Sequence, residues 1–245
     1  MKIEVNNLSK KFNSVLAVNK INFSIEDNKT IGLLGPNGCG KTTTIGMMLG
    51  LIEPTQGQVL VDGKNINKEV HRESLLSKIN FASPYVELPK KLTVKQNLEI
   101  YGRLYGVENL TERIFDIAND LNLKSFLNKM AGELSSGQKN RVSLAKSLIN
   151  KPKVLLLDEP TASLDPDIGD FIRKYIEDYQ SENKITILLA SHNMKEVERL
   201  CDNVIMMKEG QIVDRGTCDE LITKHGRNNL EDTFLKIARS KNELA

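Results

Sequence analysis

The sequence predicts an α/β fold with a mainly parallel sheet covered by helices, and three observations carry that prediction. Strand-like and helix-like segments alternate from Val154 to Leu200. Two apolar runs, Val154–Leu157 and Ile185–Ala190, have strand length and no polar face. A glycine-rich stretch separates the apolar run Thr30–Leu34 from the helix-compatible run Thr42–Leu49.

The elements follow in order. Ile3–Val5, Ile21–Ile25 and Thr30–Leu34 are short β-rich runs, and Gly57–Val61 leads to a turn at Asp62-Gly63. Helix-like periodicity dominates from about Thr93 to Ile149. Val154–Leu157 is a buried-type strand, Ile168–Gln180 an amphipathic helix, and Ile185–Ala190 another strand followed by a helix through Leu200. Val204–Met207 and Gln211–Arg215, joined by Glu209-Gly210, form a closing hairpin. Near the end, Leu230, Phe234, Ile237 and Ala238 fall at i, i+4, i+7 and i+8, one face of a helix. The early β-rich part and the middle helical part read as additions to the main sheet.

Composition narrows the classes. The 245 residues allow one large domain or two small ones, at about 150 residues per domain. With 40% hydrophobic and 27% charged residues, the chain is neither disordered, nor collagen-like, nor a small disulfide scaffold. Lys plus Arg is 34 against 32 for Asp plus Glu, a net charge of +2 that gives no general reason to expect nucleic acid. No apolar run approaches the roughly 20 residues of a membrane span, and MKIEVNNLSKKF lacks a signal-peptide core. Cys39, Cys201 and Cys218 are odd in number and lack metal-ligand spacing. The expectation is a soluble protein of a reducing compartment, held at a membrane only by another chain.

The strongest motif is Gly35-Pro36-Asn37-Gly38-Cys39-Gly40-Lys41-Thr42, which fits G-x-x-x-x-G-K-[ST], the P-loop. Glycines let the backbone curl so that several N–H groups face one anion, and the following helix presents its positive end to the same phosphates. Lys41 is expected to reach the β- and γ-phosphates and Thr42 to offer its hydroxyl to Mg²⁺. Cys39 lies beside Lys41 and a helix N-terminus, both of which lower a thiol pKa. It reads either as a small residue filling a tight turn or as a reactive thiol that nucleotide protects.

Val154-Leu155-Leu156-Leu157-Asp158-Glu159 is four apolar residues and then two acids. A buried strand delivers such carboxylates at its C-terminal edge, where open α/β sheets bind ligands. Asp158 fits a carboxylate that holds Mg²⁺, and Glu159 a base that polarises an attacking water. His192 ends the run Ile185–Ser191, where a histidine is either structural or a partner for phosphate or water.

Leu134-Ser135-Ser136-Gly137-Gln138 resembles the signature motif of ABC ATPases, usually written LSGGQ. Asp158-Glu159-Pro160-Thr161 and Ser163-Leu164-Asp165-Pro166 resemble the sequences that follow it in that family, and Ser191-His192 its switch histidine. Order and spacing match the ATP-binding subunits of ABC transporters from about Met1 to Val213. The resemblance implies a P-loop NTPase core with an N-terminal antiparallel β subdomain and a helical subdomain carrying the signature motif. It implies one ATPase domain over 1–245, with the helical subdomain at about 84–150 and a C-terminal helical extension at about 218–245.

The same resemblance implies ATP and Mg²⁺ as cofactors, and a head-to-tail dimer, homomeric or heteromeric, in which one subunit's signature motif caps the other's nucleotide. The nucleotide set is then Phe12 against adenine, with Gly35, Pro36, Asn37, Gly38, Cys39, Gly40, Lys41, Thr42 and Thr43 around the phosphates, and Ser135, Gly137 and Gln138 closing over them. Glu159, His192 and Lys41 are the catalytic set, and Thr42 and Asp158 the metal ligands. Ser135 or Ser136 reads equally as a helix N-cap, and Phe12 equally as a ring packed under the β-rich edge.

Three positions depart from the family. Ser136 replaces the usual second glycine, and Cys39 stands where Ser or Ala is common. The stretch Phe81-Ala82-Ser83-Pro84-Tyr85 lacks the glutamine that normally touches Mg²⁺ and reports nucleotide state to the membrane subunit. Ser83 is a candidate for the substitute oxygen, while Gln96 lies too far on and reads as a surface helix residue.

Leu92 to Gly106 and Leu230-Glu231-Asp232-Thr233-Phe234-Leu235 resemble export-type subunits, which implies export through a separate integral membrane permease. Pro84–Tyr105 is its expected docking surface, and Lys90, Lys91 and Lys95 read as contacts or as a solvated basic face. The implied location is the cytoplasmic face of the cell membrane. An importer subunit, a soluble ABC ATPase acting on ribosomes or nucleic acid, and a module that binds ATP without turnover are the competing readings.

Overall fold

The computed structural model describes residues 1–84, 87–162 and 164–239. In chain order the elements are β1 (Ile3–Phe12), β2 (Val15–Ile25), β3 (Thr30–Leu34), α1 (Lys41–Met48), β4 (Gln56–Val61), β5 (Lys64–Asn65), α2 (Glu69–Leu76) and β6 (Ile79–Ala82). Then come α3 (Val94–Leu104), α4 (Leu110–Asp120), α5 (Ser136–Leu148), β7 (Val154–Asp158), α6 (Pro166–Asn183), β8 (Thr186–Ala190), α7 (Met194–Leu200), β9 (Asn203–Lys208), β10 (Gln211–Gly216), α8 (Cys218–His225) and α9 (Leu230–Arg239). Two compact units result, one from residues 1–75 with the chain from Thr186 onward, the other from residues 76–185.

The first unit carries an antiparallel sheet in the order β2-β1-β4-β5. β1 and β2 run well beyond Ile3–Val5 and Ile21–Ile25. Register shifts at Asn7 and Lys20, both with positive φ, break the alternation that sequence reading relies on. Cross-strand hydrogen bonding, not hydrophobic pattern, extends them. The unit's second group of strands runs β10-β9-β3-β8, with β3 parallel to both β8 and β9. β3 and β8 are buried at every residue, as parallel strands covered on both faces must be. Both predicted turns are as the residues dictate. Asp62-Gly63 and Glu209-Gly210 have positive φ at each position, the geometry that suits a two-residue hairpin.

Leu34, Val197, Val204, Met206, Leu221 and Leu230 form one core cluster, with Phe234 and Ile237 packed against it. The helical spacing of Leu230, Phe234 and Ile237 therefore faces the core, each side chain contributing roughly 1.5–3 kcal/mol when fully buried. The sequence reading did not mark α8, although Thr217 and Glu220 form a complete capping box at its start. Nor did it mark α2, which buries only Leu75.

In the second unit β6 and β7 pair in parallel. The periodic stretch after Thr93 resolves into α3, α4 and α5, packed on one another. α3 starts on a capping box in which Thr93 accepts from the Gln96 N–H and Gln96 reaches back to the Thr93 N–H. Gln96 is thus an exposed helix residue with a local structural task. The fold is that of a P-loop NTPase with a mixed, mostly parallel core sheet. Among the described residues no helix is long and apolar enough to cross a membrane.

Candidate functional site

In the first unit, β3 delivers the chain directly into the glycine-rich loop, and α1 begins at Lys41 with Gly40 as its N-cap. Gly38 and Gly40 sit at φ +79° and +107°. A side chain at Gly38 would meet open space, so its glycine is required by backbone conformation alone. A Cβ at Gly40 would come within 2.6 Å of the Ala17 carbonyl, so there both conformation and space exclude one. Lys41 is 9% exposed, and its Nζ donates to the carbonyls of Gly35 at 2.6 Å and Pro36 at 3.3 Å. The ammonium is thereby held across the mouth of the curl that the loop makes. Asn37 and Thr42 are exposed and Thr43 is half-buried. No acidic residue occupies the first turn of α1, so the positive end of that helix is uncompensated from within.

Cys39 is 3% exposed, with Sγ 4.0 Å from Lys41 Nζ. Burial pushes its thiol pKa up, and the opposing pull of Lys41 does not cancel it. The expectation of a lowered thiol is therefore corrected, and Cys39 is the small side chain that fills the turn. Phe12 closes β1 and is 45% exposed, with Lys10 Nζ 5.1 Å from the ring centroid. It is not packed beneath the β-rich edge. His192 lies two residues past β8, exposed, in the bend that leads to α7. That bend is pinned by Ser191, whose hydroxyl donates to buried Glu196 at 2.5 Å and accepts the Asn193 N–H.

In the second unit, Asp158 is the last residue of β7 and is buried, as is Glu159 after it. Glu159 adopts φ +54°, a left-handed conformation that costs a side-chain-bearing residue about 1 kcal/mol or more. The chain turns at once, the Ala162 N–H donating to the Glu159 carbonyl. The signature stretch sits where a helix begins. Ser135 is the N-cap of α5, its Oγ accepting the Gln138 N–H, while the Gln138 side chain accepts the Ser135 N–H. That cap uses the serine oxygen as acceptor and leaves the O–H to donate elsewhere. Gly137 is buried, and a Cβ there would lie 3.3 Å from Ile168 of α6. Asn140, one turn on, donates to the Pro160 carbonyl at 2.6 Å, tying α5 to the loop that follows Glu159. Gln138 is therefore placed by a reciprocal cap that the spacing S-x-x-Q already contains.

Ser83 is buried, and its carbonyl accepts from the Ser143 hydroxyl of α5. Tyr85 and Ser163 lie outside the described residues. Lys90 pairs with Glu87 at 2.9 Å and Lys95 with Glu99 at 3.8 Å, so these two cations are exposed and locally neutralised.

The family model described as "ABC transporter" matches residues 18–162, which include both the P-loop and the β7 carboxylates. The chain belongs to the ABC transporter family. This ATP-binding subunit is 35% identical over 223 residues to the ABC transporter ATP-binding protein NatA of Bacillus subtilis, covering 90% of each chain. It is 34% identical over 225 residues to the Nod factor export ATP-binding protein I of Burkholderia lata, covering 90% of this chain and 72% of that one. Among solved structures, the ATP-binding subunit of an ABC transporter superposes with a TM-score of 0.89 at 23% identity, covering 98% of this chain and all of that one. The ABC cassette is thus an ATP-binding subunit in fold and family, and its residues divide between the two units described above.

Proposed function

We propose that the chain is the ATP-hydrolysing motor of an export-type transporter, working as one of two cassettes beneath a separate membrane permease. The observation that carries the reading is the loop Gly35–Thr42, whose left-handed glycines, buried Lys41 and uncompensated helix N-terminus together suit a triphosphate. Lys41 exchanges its carbonyl partners for β- and γ-phosphate oxygens. Phe12, with an open ring face, stacks on the base. Thr42 and Asp158 offer a hydroxyl and a carboxylate, hard oxygen donors that fit Mg²⁺. When bound, that ion neutralises charge on the transferring phosphoryl group.

Glu159, held in a strained turn, orients the attacking water, and His192 supports the γ-phosphate. Ser135, Gly137 and Gln138 of a second copy, or of a similar chain, close over the nucleotide with a hydroxyl, a backbone N–H and a helix N-terminus. The segment 84–105 faces the permease at the cytoplasmic side of the membrane, with the whole of 1–245 acting as one ATPase domain. Export rests on the resemblance of Leu92–Gly106 and Leu230–Leu235 to export-type subunits, and on the relative named for Nod factor export.

Purified protein is expected to release phosphate from Mg-ATP. Glu159→Gln is expected to lower release at least a hundredfold while trapping an ATP-stabilised dimer on size exclusion. No release by the unaltered protein, together with a monomeric Glu159→Gln, would overturn the reading. ATP-driven accumulation of substrate inside inverted vesicles separates export from import.

A further inference from the structure

The chain holds a single Asn-Gly pair, Asn37-Gly38, and it stands in the phosphate loop. Such a pair is the context in which an asparagine amide is most open to attack from its own backbone, because glycine has no Cβ to hinder its nitrogen. Folding normally suppresses the reaction by tying up the groups that take part. Here it leaves them free. Asn37 and Gly38 are both exposed. Among the described residues, the Asn37 side-chain amide has no hydrogen-bond partner and the Gly38 N–H donates to no acceptor. The bond that closes this turn comes from the next residue, the Cys39 N–H donating to the Pro36 carbonyl at 3.2 Å. Nothing lies within 4 Å of the Cβ that Gly38 lacks, so there is room beside it for a new ring. The Asp-Gly pair of the chain shows the contrast, since Asp62 Oδ1 accepts the Lys2 N–H at 2.9 Å.

Charge favours the attack as well. The reacting form of the Gly38 nitrogen is the anion left when hydroxide takes its proton, and the tetrahedral centre that follows carries an oxyanion. α1 begins three residues further on with no acid in its first turn, and the Lys41 ammonium lies on the Gly35 and Pro36 carbonyls of the same loop. Both stabilise negative charge at this turn. The features that suit the loop to phosphate therefore suit it to this reaction. A bound phosphate covers the turn and cancels the field.

We propose that Asn37-Gly38 is a self-modification site that records time spent without nucleotide: in the empty loop Asn37 converts to aspartate and isoaspartate, and a bound nucleotide blocks the conversion. This rests on the reading of Gly35–Thr42 as a phosphate loop. The deprotonated Gly38 nitrogen bonds to Asn37 Cγ, the Cγ–Nδ2 bond breaks, and the amide nitrogen leaves as ammonia with a proton from water. Water then opens the five-membered imide at one of its two carbonyls. Breaking the new bond gives aspartate, and breaking the original peptide bond gives isoaspartate, with the chain running through Cγ. One water is consumed and one ammonia released, with no change of oxidation state. Either product adds to the loop a negative charge that repels phosphate. Isoaspartate also lengthens the loop backbone by a methylene, which moves its N–H groups.

The test incubates the full chain at mildly alkaline pH in heavy-oxygen water, empty or with Mg-ADP, which hydrolysis does not deplete. Peptide mapping by mass spectrometry then counts each conversion. In the empty protein Asn37 is expected to convert ahead of every other asparagine, and within about tenfold of its rate in the urea-unfolded chain. Mg-ADP at about a hundred times its Kd is expected to slow it about a hundredfold, because only the empty loop reacts. Protein already converted at Asn37, and the Asn37→Asp variant, are expected to bind Mg-ADP at least tenfold more weakly. Folding that slows the conversion by far more than tenfold, a rate untouched by bound Mg-ADP, or unchanged affinity after conversion each overturns the proposal and leaves the phosphate reading intact. If freshly prepared, unaltered protein binds no nucleotide, both fail.

Discussion

At the scale of single residues, environment overrides neighbourhood. Cys39 has a cation and a helix N-terminus within reach, yet its burial pushes the thiol up, so little thiolate exists near neutral pH. N-ethylmaleimide is expected to label Cys39 at least tenfold more slowly than a free cysteine at pH 7.5, and at the free rate once the protein is unfolded, as read by mass spectrometry. Asp214 shows the reverse balance. Burial alone would push its carboxyl up, but hydrogen bonds from Lys224 at 2.7 Å, His225 at 2.6 Å and the Arg215 N–H outweigh it and hold the pKa below the usual carboxylate value. A depressed carboxylate pKa gives stability that is present above the unfolded-state value near 4 and lost as pH falls through the folded one. Asp214→Asn is therefore expected to cost about 2 kcal/mol at pH 7. The gap between the two proteins in urea titrations is expected to close as pH drops below about 4.

Elements show how one local device serves two ends. α3 and α5 open on the same kind of box, Thr93 with Gln96 and Ser135 with Gln138. Each satisfies two helix N–H groups, and loss of either cap hydroxyl is worth about 1 kcal/mol. Thr93→Ala and Ser135→Ala are expected to lower stability alike. Only Ser135→Ala is expected to weaken ATP-driven dimerisation, by about tenfold, because only that hydroxyl is proposed to donate across the dimer. Equal effects on dimerisation would mean that Ser135 is a cap and nothing more. The missing glutamine after β6 belongs to this scale too. Gln96 is consumed by its helix start, and the Ser83 backbone by Ser143, so neither segment end is idle.

For the molecule as a whole, the decisive feature is that the nucleotide loop and the signature helix start belong to different units of the same chain. On the head-to-tail reading proposed above, a cassette that borrows a second copy's Ser135 does not turn over ATP alone. Specific ATPase activity is therefore expected to rise with protein concentration toward a plateau, and concentration-independent activity would contradict the head-to-tail reading. The exposed aromatic and apolar residues fit a subunit that works against other chains. Phe12, Leu104 and the tip residues Val15 and Leu16 all remain open in the isolated chain.

Sequence by itself determined whatever is set by consecutive residues. The curl of Gly35–Thr42, the turns Asp62-Gly63 and Glu209-Gly210, the apolar runs within strands β3, β7 and β8, and the order of the ABC motifs were all legible, because backbone sterics and apolar periodicity act within a few residues. Tertiary structure alone decided the length of β1 and β2, the raised thiol of Cys39 and the left-handed turn at Glu159. Each of these depends on strand partners or burial brought together from distant parts of the chain, and no local window of sequence contains them.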